Sequence, residues 1–81
     1  MIRVLLFAGL AEVAGASEIH LEVGQGPLSI ETVREKLSLR YPAMADLLGK
    51  SMAAINQEYA NASDLIRETD EVAFIPPVSG G

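Results

Sequence analysis

The chain has no cysteine, a single histidine, and only two tyrosines and two phenylalanines among its 81 residues. Without cysteine, neither a disulfide nor a thiolate metal cage can staple so small a domain. A metal site needs three or four converging ligands, and beyond His20 no side chain here supplies an imidazole nitrogen or a thiolate sulfur. No apolar run approaches the 18 or so residues that cross a bilayer. The N-terminus lacks the basic and long hydrophobic segments of a signal peptide. A soluble, cytoplasmic protein is the expectation. Positive charge is also scarce: 6 basic against 11 acidic side chains give a formal net charge of −5. Arg34, Lys36 and Arg40 are interleaved with Glu31 and Glu35, so no basic patch forms. Nucleic-acid backbones would be repelled, and the acidic surface either steers the chain toward a basic protein partner or simply keeps it soluble.

What is abundant is aliphatic surface, and its spacing sets the fold. In "MIRVLLFA", alternation places Ile2, Val4 and Leu6 on one face, and Arg3, Leu5 and Phe7 on the other. The second face is unusually apolar for one left to water. "GLAEVAGAS" reads as a connection holding one helical turn. "EIHLEV" alternates strictly, with Ile19, Leu21 and Val23 inward, and predicts a strand forming a hairpin with the first. Ser29 is a good N-cap for a helix starting at Ile30, and Glu31 favours its positive end. Ile30, Val33, Leu37 and Tyr41 fall on one helical stripe, which Pro42 ends. "AMADLLG" predicts one further turn, and "SMAAINQEYA" a short strand, a turn at Asn56-Gln57 and a brief return. "NASDLIRETD" is loop-like with a Leu65-Ile66 anchor. "EVAFI" is a final strand with Val72 and Phe74 inward.

One helix against one sheet face makes a two-layer α+β domain. The first and last strands are the most hydrophobic and belong side by side in the centre. That is the β-grasp, or ubiquitin-like, arrangement, expected over residues 1–75, with residues 76–81 as a flexible functional tail. In it, Leu5, Phe7 and Ile75 share the sheet face away from the helix. They form either an open docking site or a patch covered by the "NASDLIRETD" loop.

The usual catalytic constellations are missing. His20, between Glu18 and Glu22, fits a solvated strand face. Ser79 has no base or oxyanion loop. Gly24 and Gly26 do not make a phosphate-binding fingerprint. Asp70 and Glu71, as sequence neighbours, point apart. There remains the terminal carboxylate of Gly81, ionised at neutral pH because such groups titrate near about 3.5. A carboxylate can attack the α-phosphate of ATP to give an activated acyl-adenylate. Gly80 and Gly81 keep the approach narrow, and Pro76-Pro77 form a stiff, donor-less spacer. From Pro77 the tail reaches about 15 Å at roughly 3.3 Å per residue.

"MIRVLLFA", "AAINQ" and "DEVAFIPPVSGG" together resemble the MoaD/ThiS sulfur-carrier family, in the MoaD branch that supplies the small subunit of molybdopterin synthase. The likeness spans essentially the whole chain. It implies that Gly81 is adenylated by a ubiquitin-activating-type adenylyltransferase using ATP and then converted to a thiocarboxylate. Val78, Ser79 and Gly80 would thread with Pro76 and Pro77 into the synthase large subunit, in a heterotetramer. There the sulfur would pass to cyclic pyranopterin monophosphate. No stably bound cofactor is implied, and the chain would be the sulfur-donating subunit with no catalytic side chain of its own. A thiazole-synthesis carrier and a ubiquitin-like modifier conjugated through Gly81 are the alternatives.

Overall fold

The structure is a computed structural model; it describes residues 1–22, 24 and 28–77. The elements run β1 (Ile2–Leu6), α1 (Gly9–Ala14), β2 (Glu18–Leu21), β3 (Leu28–Ser29), α2 (Ile30–Arg40), a 3₁₀ turn (Pro42–Met44), α3 (Ala45–Lys50), β4 (Met52–Ile55), β5 (Glu58–Ala60), β6 (Leu65–Ile66) and β7 (Glu71–Ile75). The main sheet is ordered β2-β1-β7-β4-β5. Its two most apolar strands lie in the middle and run parallel, with Val4 opposite Val72 and Leu5 opposite Ala73. β2 and β4 flank them antiparallel. This is the β-grasp arrangement expected from the sequence.

The alternation explains the packing. Ile2, Val4, Leu6, Ile19, Leu21, Val72 and Phe74 point into one core, where Val33 and Leu37 of α2 meet them, all buried. At the start of α2, the Ser29 hydroxyl accepts the Thr32 N–H at 3.2 Å. Two further N–H groups of that first turn, from Ile30 and Glu31, donate to the carbonyls of Asp64 (3.1 Å) and Ala62 (2.9 Å). The helix start thus has its free donors satisfied by the 61–64 loop, as a buried terminus requires.

Three local expectations change. The 9–14 segment is a six-residue helix that buries Leu10, not a connection with a single turn. It closes on Gly15 in the left-handed region (φ 76°), whose N–H reaches the Ala11 carbonyl at 2.9 Å. β1 and β2 do pair as a hairpin would, but α1 sits in their connection. The Leu65-Ile66 anchor is a short strand paired with Leu28-Ser29; Ile66 is buried, whereas Leu65 is exposed. Val23 lies outside the described residues.

The β4–β5 hairpin turns through Asn56 (φ 50°) and Gln57 (φ 72°). Both central residues of such a two-residue turn need positive φ, and the second position favours glycine. Asn56 is held there on merit: its side chain donates to Asp70 at 3.0 Å and accepts the Glu71 N–H at 3.0 Å. Gln57 makes no such contact and is exposed. Gln57→Gly is therefore expected to stabilise the domain by up to about 1 kcal/mol. Relief of the left-handed backbone should outweigh the added freedom of the unfolded chain. A higher urea midpoint confirms it, and a lower one contradicts it.

Candidate docking face and tail root

The side of the sheet away from α2 is built from the odd-numbered residues of β1 and β7. Register places them in rows. Arg3 lies opposite Glu71, Leu5 lies opposite Ala73, and Ala73 in turn lies opposite Ala54 and its hairpin partner Tyr59. Ile75 faces Met52, and Phe7 follows directly after β1 at the same end. Leu5, Phe7 and Ile75 thus share a face as the sequence predicts. They border one shallow concavity together with Ala54, Tyr59 and Ala73.

This face is open. Phe7 is 45% exposed, Met52 52%, Tyr59 73% and Ile75 36%. The 61–70 loop cannot cover it, because its carbonyls cap α2 and its Ile66 enters the core on the helix side. Of the two readings the sequence left open, the covered patch is excluded. Met52 and Tyr59 add more apolar surface than the sequence reading included. The alternation of "SMAAINQEYA" carries that signal, but only once β4 is registered against β7. This partly exposed apolar surface is the candidate docking face.

The opposite half of the same face is ionic. Arg3 sits between Glu18 (2.9 Å) and Glu71 (3.2 Å), and His20 approaches Glu18 at 3.0 Å. Hydrogen bonds from Arg3 and then His20 hold the Glu18 carboxyl below its usual range. His20 is thus a solvated strand residue with a carboxylate neighbour, and the described residues contain no cluster of metal-ligating side chains. Asp70 is a turn residue just before β7. Its carboxyl is held low by the Arg67 N–H and by Asn56, which identifies it as a turn acceptor rather than a general base. Glu71 binds Arg3 from the strand, so the two acids do not form a pair.

Among the described residues, Ile75 is the last of β7 to pair. Pro76 is half-buried and Pro77 exposed, and neither belongs to the sheet. Val78, Ser79, Gly80 and Gly81, all expected in the tail, lie outside the described residues, as does Gly26. Among the described residues, no helix is long and apolar enough to cross a membrane.

A β-grasp sheet with an apolar face left partly open, its central strand β7 followed by Pro76 and Pro77, places the domain in the ubiquitin-like fold class. Comparison with known proteins narrows the class. The sequence model of the ThiS family matches residues 4–81. The molybdopterin synthase sulfur carrier subunit of Chlamydomonas reinhardtii is 39% identical over 82 residues, covering 99% of this chain and 98% of the relative. That of Escherichia coli (strain K12) is 36% identical over 83 residues, covering all of both. Among solved structures, SAMP1 from Haloferax volcanii superposes with a TM-score of 0.84 at 31% identity, over 99% of this chain and 98% of that one. The chain belongs to the ThiS family.

Proposed function

We propose that this protein is a sulfur carrier, the small subunit of a molybdopterin synthase. The observation that carries the reading is full-length likeness to molybdopterin synthase sulfur carrier subunits, within a family match that extends through Gly81. Residues 1–75 form the docking domain and residues 76–81 the reacting tail. An adenylyltransferase of the ubiquitin-activating type binds the domain and presents ATP. A carboxylate oxygen of Gly81 attacks the α-phosphate, pyrophosphate leaves, and the acyl-adenylate forms. A sulfide-level sulfur nucleophile then attacks the acyl carbon and AMP leaves, so that Gly81 carries a thiocarboxylate. The chain has no cysteine, so the terminus is where it would carry sulfur.

The large synthase subunit then receives the tail, in a heterotetramer of two subunits of each kind. Sulfur passes there to cyclic pyranopterin monophosphate. Leu5, Phe7 and Ile75 dock the domain, and Pro76, Pro77, Val78, Ser79 and Gly80 thread toward the reacting centre. The chain holds no cofactor of its own, acts in the cytoplasm, and supplies substrate rather than catalytic side chains. The apolar sheet face among the described residues supports the docking role.

The likeness to SAMP1, whose name a second solved structure gives as small archaeal modifier protein 1, supports a second reading as a modifier joined through Gly81 to other proteins. One reconstitution separates them. With the activating enzyme, a sulfur source and the large subunit, a carrier yields molybdopterin from cyclic pyranopterin monophosphate. Absence of that product, with a ladder of lysine conjugates instead, supports the modifier.

A further inference from the structure

Where the tail leaves the domain there is a second groove, distinct from the docking concavity. It is lined by Phe7, Ala8 and Gly9 from the β1–α1 corner, by Leu47 of α3, and by Pro76 and Pro77. Ile75 closes it, and through Ile75 and Phe7 it runs into the docking concavity. The corner is tightly turned. Ala8 has φ 50°, and a Cβ on Gly9 would come within 2.9 Å of Leu47 Cδ2. The Leu47 side chain thus lies close against the corner and forms one wall of the groove, with the prolines forming the other.

Two observations identify what enters it. Among the described residues, no charged side chain lines the groove, although the chain carries a net charge of −5. Such a lining suits an apolar occupant. In addition, the last sheet partner of the tail is Met52 opposite Ile75, and Pro76 and Pro77 have no N–H to extend the ladder. Pro76 and Pro77 thus offer a partner strand no N–H donors, and their rings present the kind of surface on which aromatic side chains pack.

We propose that the groove takes one aromatic side chain of the large subunit, packed between Leu47 and the Pro76-Pro77 rings. Leu47 thereby becomes a partner-recognition residue on a helix outside the sheet face. The inference rests on the carrier reading above.

The test uses the full chain with leucine methyls labelled, bound to the unlabelled large subunit. Filtered NOE spectra should show the Leu47 δ-methyls beside partner aromatic protons. Leu47→Asp should weaken binding at least about tenfold, as loss of a packed interface contact does; because Leu47 is half-buried against the core, binding is compared only where the variant is folded. Leu39→Asp, at an exposed site on α2, should bind as wild type does. If Leu47→Asp lowers the melting temperature, Leu47→Ala replaces it, with weaker binding again expected. Wild-type binding without an aromatic contact at Leu47, or undiminished binding by the folded Leu47 variant, overturns the groove inference alone. Failure of the wild-type chain to bind the large subunit overturns the carrier reading and this inference with it.

Discussion

Deletion of Gly81 is expected to abolish molybdopterin formation while leaving the domain as stable as before. Removing one residue draws the carboxylate back by roughly 3.3 Å. A displacement of about 1 Å from near-attack geometry already costs on the order of 10²-fold in rate. Extension by one residue should be equally severe, because the reactive carbon is then locked in an amide. Neither change touches the sheet, whose last pair is Met52 opposite Ile75. Urea midpoints and binding to the large subunit should therefore match wild type, while adenylation and product both disappear. Gly80→Val should fall between these limits, since its Cβ crowds a path sized for bare backbone. An extended protein that supports full synthesis without prior trimming would falsify the carrier reading.

Phe7→Asp is expected to raise the dissociation constant for the large subunit by about 10² or more, the loss associated with a central apolar anchor. Phe7 is 45% exposed and lies outside the buried core, so its replacement leaves no cavity. It also joins the docking concavity to the tail groove, and a carboxylate there faces desolvation on either side. Circular dichroism and the melting temperature should be nearly unchanged. Undiminished binding by a folded Phe7→Asp protein would place the docking face elsewhere on the domain.

The parts of the fold that were legible in the sequence are those whose own residues carry the period. β1, β2 and β7 alternate, and α2 has Ile30, Val33 and Leu37 on one stripe behind a Ser29 cap. The parts that were not legible depend on distant partners. β3 and β6 are two residues each and exist because Leu28 meets Ile66 across the chain. α1 is too short to show a period, and its single buried side chain, Leu10, needs a core that other elements assemble.

The candidate site divides the same way. Leu5, Phe7 and Ile75 could be picked out because apolar residues stood where a solvated face was expected. Met52 and Tyr59 join them only through the register of β4 against its neighbours. Leu47 reaches the tail root through the packing of α3 against the β1–α1 corner, which no local pattern encodes. Gly81 lies outside the described residues, and its reading comes from the sequence alone, as a glycine pair behind two prolines.

The most direct measurement of the central claim is the intact mass of the native protein, isolated from cells that contain its activating enzyme and sulfur source. The account predicts a species heavier by one sulfur-for-oxygen exchange, which fragmentation places on Gly81 and which reverts to the carboxylate after turnover with the large subunit. A protein that carries only the unmodified carboxylate throughout, while molybdopterin is still being made from it, would contradict the account.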